Sequence, residues 1–167
     1  MPRIARLSIC VALAVTMLST GSSPLLAADA LSAAYCARVG NDDTLHPPAP
    51  NLRAELRRAY PRLMGGGGAP NDSVLQANAQ TRCMDGKLLV CFVGANLPCG
   101  KIDTARDNPG ATAWCREHPG DKIIPLVATG HDALNSYECD GANARITGTN
   151  WVLDRRGFAT RLWTPLD

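Results

Sequence analysis

The 167 residues carry 46% hydrophobic and 19% charged side chains, a balance that excludes a disordered chain. The formal charge of +2 includes Arg3 and Arg6. Without them 15 basic residues face 14 or 15 acidic ones, and this near-neutrality argues against nucleic-acid binding.

Residues 1–28 read as a secretion signal, with Arg3 and Arg6 ahead of an apolar run from Leu7 to Leu18. That run is too short for the roughly 20 residues that span a bilayer, so no transmembrane anchor is expected once the signal is removed. Ala28-Asp29-Ala30 offers a cleavage site, after Ala28 or after Ala30. The rest divides into a helical segment with a glycine-rich link (29–70) and a β-rich core (71–167), expected to form one globular domain.

Residues Ala30 to Arg38 predict a short helix, followed by a polar, proline-rich loop from Gly40 to Pro50. Asn41-Asp42-Asp43-Thr44 lacks the spacing and terminal glutamate of a calcium loop, so turn chemistry is the expectation there. Asn51 is placed to cap a second helix, Leu52 to Tyr60, limited by Pro61. Its apolar stripe is Leu52, Leu56, Ala59, Tyr60 and Leu63. Arg53, Arg57, Arg58 and Arg62 cover the remainder and read as a solvated face. Gly65 to Gly68 lacks the lysine of a phosphate-binding loop and reads as a linker.

From Thr81 the pattern changes to strands. Asp85-Gly86 predicts a tight hairpin between Thr81–Met84 and Lys87–Val93. Cys83 then faces Leu88 on the side of Val90 and Phe92, while Cys91 points to the opposite face. Asn108-Pro109 begins a helix that ends at His118, where a cation suits the last carbonyls. Ile123 to Ala128 reads as an edge strand interrupted by Pro125. Further strands are expected at Ser136–Cys139, Ala144–Thr147, Asn150–Asp154 and Phe158–Thr164. The fold class is α+β: an antiparallel sheet of about five or six strands with two or three short helices.

Cys36, Cys83, Cys91, Cys99, Cys115 and Cys139 form an even set in the mature chain and predict three disulfides. Their spacings suit no metal site, and no cofactor motif is present. Alternation along the hairpin disfavours Cys83 with Cys91. The expected pairing is Cys99 with Cys115, Cys83 with Cys139 and Cys36 with Cys91.

The most concentrated polar segment is Thr129-Gly130-His131-Asp132, followed by Asn135 and Ser136. A histidine supplies a base near neutral pH and a carboxylate can orient its ring, so His131 and Asp132 are the catalytic candidates of any enzyme reading. No nucleophile motif accompanies them. A recognition loop formed by Thr129, His131, Asp132 and Asn135 is the preferred expectation.

The stretch Arg82-Cys83-Met84-Asp85-Gly86 through Cys99, then Trp114-Cys115-Arg116, the Thr129 to Asp132 run and the closing Asp154 to Leu166, resembles a type of small exported protein of proteobacteria. The resemblance covers Cys36 to the end and implies a periplasmic home. In compartment, size and β-content the chain is also similar to periplasmic inhibitors of c-type lysozymes. Arg82 stands where those proteins begin a strand with an aromatic residue. The leading functional expectation is a non-enzymatic periplasmic binding or inhibitor-like module, its partner an envelope protein or glycan. The alternatives are a cell-wall or carbohydrate hydrolase using His131 and Asp132, and an accessory subunit of the envelope.

Overall fold

A computed structural model describes residues 31–94 and 96–166, so the expected signal lies outside the described residues. The chain is α+β, and the described residues form six strands divided between two antiparallel sheets. The larger has the order β1-β2-β3-β6: Asp42–His46, Ala79–Met84, Lys87–Phe92 and Thr164–Pro165. The smaller pairs β4 (Asn135–Asp140) with β5 (Asn143–Thr149). The helices are α1 (Ala33–Val39), α2 (Arg53–Leu63), α3 (Asp72–Asn78), α4 (Pro109–Glu117) and the single turn α5 (Leu126–Thr129).

The β2–β3 hairpin forms as the Asp85-Gly86 signal requires, both turn residues having positive φ, and Cys83 pairs with Leu88. β3 is buried on both faces, which explains its nearly continuous apolar sequence. Val90 and Phe92 pack under α2 and α3 with Leu56, Ala59 and Leu75. Leu89 and Cys91 face the other way, into a cluster of Cys99, Ile102, Trp151, Phe158, Leu162 and Trp163. A third core lies between α4 and the small sheet, where Ala111 and Cys115 meet Ile124, Tyr137 and Cys139.

All three disulfides form, but none has the expected partner: they join Cys36–Cys83, Cys91–Cys99 and Cys115–Cys139. Strand alternation did separate Cys83 from Cys91. Beyond that, packing decides. α1 lies against the hairpin and brings Cys36 to Cys83, together with Leu31 and Leu88. The loop after β3 folds back over the opposite face and brings Cys99 to Cys91. α4 covers the small sheet and brings Cys115 to Cys139.

Several elements differ from the sequence reading. The segment expected as a loop contains β1, an edge strand whose register shifts between its two pairings with β2. An edge tolerates its aspartates and the prolines that follow, because only one side is paired. Asn71 caps α3 by accepting a hydrogen bond from the Val74 N–H, so a helix that was not expected stands between the glycine-rich link and the hairpin. Asn51 caps nothing: it sits in a 3-10 turn, Pro50–Leu52, and α2 continues through Pro61 to Leu63.

Ile123 to Ala128 is not a strand. Pro125 has no N–H to extend a ladder, and its φ of −69° instead starts α5. The two expected closing strands reduce to a bridge between Leu153 and Ala159, a 3-10 turn at Thr160–Leu162, and the two-residue β6. Among the described residues no helix is long and apolar enough to cross a membrane.

Candidate functional site

A groove of about 350 Å³ runs between the 122–126 segment and the small sheet. One wall is Lys122, Ile123, Ile124, Pro125 and Leu126, ending at Thr129. The other is built from Asn135, Ser136 and Tyr137 of β4, with Thr147 of β5 and Asn150. Its volume lies at the small end of the range for ligand pockets.

The sequence positions these walls through a few hydrogen bonds. The Ile124 N–H donates to the Tyr137 carbonyl at 3.2 Å, and the Cys139 N–H to the Asp121 carbonyl at 2.7 Å. These fix the first wall along the outer edge of β4. Asn150 clamps the second: its Nδ2 donates to the carbonyls of Ala133 and Asn135, both at 3.1 Å. Its Oδ1 accepts from the Ser136 hydroxyl at 2.6 Å. The Asn135 amide is buried and donates to the Ala105 carbonyl at 3.1 Å. α4 fixes α5, since Asn108 accepts from the Ala111 N–H and donates to the Thr129 carbonyl at 2.7 Å.

Of the polar segment singled out in the sequence, Thr129, Asn135 and Ser136 line the groove. His131 and Asp132 are exposed on the intervening turn and are not part of its lining. The Asp132 backbone carbonyl accepts from the Asp103 N–H, which makes the turn a connection to the 103 loop. The lining contains no carboxylate and no histidine, so it offers no acid–base pair. Lys122 at the rim reaches Glu138 at 4.0 Å. Ile123 and Val127 stand 81% and 82% exposed, an unusual position for two β-branched aliphatics beside a groove.

The other two histidines lie outside the groove. His118 ends α4, its ring stacked on Trp114 at 4.0 Å and its Nδ1 3.1 Å from the Trp114 carbonyl. His46 lies on β1 with Nε2 4.0 Å from Asp42, whose carboxylate also accepts from the Tyr35 hydroxyl at 3.2 Å. Among the described residues no three His, Cys, Asp or Glu side chains gather as metal ligands. On α2, Arg57 meets Asp72, Arg58 meets Glu55, and Arg62 reaches the Pro165 carbonyl.

Sequence reasoning missed the charged centre of the fold. Arg82 is fully buried, ion-paired with Asp154, its guanidinium 4.0 Å from the Phe158 ring centre and 4.7 Å from that of Trp163. Burial pulls it below the ordinary guanidinium range while Asp154 opposes the shift. Asp154 also accepts from the N–H groups of Arg156 and Phe158, fixing the turn between them. Nearby, Asp43 takes both arms of Arg156 at 2.9 Å and Lys101 at 2.8 Å. No spacing signal links residues 82 and 154.

No family model, curated protein or solved structure matches the chain.

Proposed function

We propose that this chain is an exported, non-enzymatic binding module of the periplasm, receiving its ligand in the groove between 122–126 and the small sheet. The observation that carries this reading is the chemistry of the groove. Its deeper polar side chains, Asn135, Ser136 and Asn150, are hydrogen-bonded to one another or to backbone carbonyls. They hold shape rather than perform reactions. What remains for a ligand is an aliphatic wall, the Thr147 hydroxyl and the Lys122 ammonium.

Three disulfides in a chain of this size fit an oxidising compartment, and the signal-like first 28 residues fit export to it. The exposed Ile123 and Val127 favour a segment of an envelope protein over a glycan, because such a ligand buries aliphatic side chains beside the groove.

The test is retention from periplasmic extract by the mature, oxidised protein, by Thr147→Trp, which fills the groove, and by His131→Ala/Asp132→Ala. The reading expects a stoichiometric ligand on the first and third and its loss from Thr147→Trp. Retention by Thr147→Trp together with loss from the double variant would move the site to the exposed turn. A captured glycan would keep the groove and replace the ligand class.

A further inference from the structure

A second depression, about 330 Å³, lies along α4 and is lined by Arg106, Asp107, Asn108, Thr112, Arg116 and Tyr137, among others. We infer that it is an anion site, in which Arg106 and Arg116 together hold the carboxylate or phosphate group of a small ligand. The inference goes beyond the binding groove proposed above and does not depend on it.

Most of the other described arginines are partnered within the fold. Arg57, Arg58, Arg82, Arg145, Arg155 and Arg156 each meet a carboxylate. Arg38 and Arg161 lie over aromatic rings, and Arg62 reaches a carbonyl. Arg53, Arg106 and Arg116 have no such partner among the described residues, and of these three Arg106 and Arg116 line one concavity. Two like charges facing a shared depression disfavour each other until an anion enters between them. The depression holds one carboxylate, Asp107, so the two guanidiniums leave an excess positive charge.

The backbone around the site is fixed. Asn108 caps α4, and the Thr112 hydroxyl donates back to the Asn108 carbonyl at 3.2 Å. Pro109, Thr112 and Arg116 are spaced to lie along one face of the helix. The Tyr137 hydroxyl reaches the carbonyls of Ala105 and Arg106 only at 3.5 and 3.4 Å. These are long contacts, which leaves it able to turn toward an incoming oxygen. Guanidinium forks bind carboxylate and phosphate in two-point contacts, which makes these the matching chemical groups. The N-terminal end of α4 adds a favourable field for negative charge.

The experiment is a nuclear magnetic resonance titration of the mature, oxidised protein at constant ionic strength, with inorganic phosphate in one arm and acetate in the other. The inference expects saturable shifts of the Thr112, Arg116 and Tyr137 amides at about millimolar anion. Arg106→Gln and Arg116→Gln should each weaken binding about tenfold, while Arg53→Gln on α2 leaves it unchanged. Saturation by phosphate alone assigns the phosphate group; tighter saturation by acetate assigns the carboxylate. Each spectrum also reports whether its variant is folded. Shifts that stay linear to about 20 mM in both arms, or wild-type affinity in both Arg106→Gln and Arg116→Gln, would overturn the site. Loss of binding in Arg53→Gln as well would show bulk attraction instead.

Discussion

Arg82 and Asp154 form an ion pair sealed inside the fold, tying the second strand of the large sheet to the closing turn 72 residues later. The guanidinium is fully buried and the carboxylate nearly so. Two guanidinium nitrogens, Nε and Nη1, have no hydrogen-bond partner, so Asp154 and the two aromatic rings carry the compensation. Removing one partner strands a buried charge. We expect Asp154→Ala to cost about 3–5 kcal/mol in urea unfolding, and Arg82→Met/Asp154→Leu to cost clearly less. A single-variant loss below about 1 kcal/mol would mean the pair is hydrated.

The disulfides differ in what they constrain. Cys36–Cys83 spans 47 residues and Cys91–Cys99 only 8. Chain entropy alone makes loss of the first about 1.5 kcal/mol more costly than loss of the second. Paired alanine variants compared by denaturant unfolding measure the difference. Peptide mapping under non-reducing conditions reads the connectivity itself.

Acid should unfold the molecule partly through β1. The Thr44 N–H holds Asp42 below its usual 3.8, and the Arg156 fork does the same for Asp43. Both bind protons less readily folded than unfolded, so their contribution is complete above pH 3.8 and fades as pH falls through the folded values. Asp43→Asn should therefore lower the melting temperature at neutral pH and flatten its decline in acid. A melting profile between about pH 2 and 6 checks both.

Gly110 tests the link between α4 and the groove. A Cβ there would lie 1.9 Å from the Ala128 carbonyl oxygen, a backbone atom that cannot swing aside. We expect Gly110→Ala to cost about 1–3 kcal/mol. It should also weaken ligand retention, because α5 carries the Thr129 edge of the groove. His131→Ala, at an exposed position outside the lining, should change stability by less than about 0.5 kcal/mol.

Local chemistry made part of this structure legible in the sequence. Asp85-Gly86 specified the hairpin, Asn108-Pro109 specified the start of α4, and the Leu52 to Leu63 stripe identified the face of α2 that meets β3. Alternation also put Cys83 and Cys91 on opposite faces. What stayed hidden depends on tertiary packing. Disulfide partners follow from how α1, α4 and the 99 loop dock, and none of those contacts leaves a local pattern. β1 resembles a loop because an edge strand needs little β propensity. Ile123 to Ala128 looked like a strand because its apolar residues were assumed buried, whereas Ile123 and Val127 face solvent.

The candidate site was half visible for the same reason. Thr129, Asn135 and Ser136 stood out as a polar cluster and do line the groove. Lys122, Thr147 and Asn150 come from separate segments and only meet through the small sheet and the Asn150 clamp. His131 and Asp132 drew attention by residue type, yet sequence proximity to the groove residues does not turn them into it.

The most direct test of the groove as the binding surface is amide hydrogen exchange of the mature, oxidised protein, alone and in periplasmic extract. The account predicts slower exchange in extract over 122–126 and 145–150, with 129–137 joining them and α2 unchanged. Protection confined to α2 or β1, or no change anywhere at saturating extract, would contradict it.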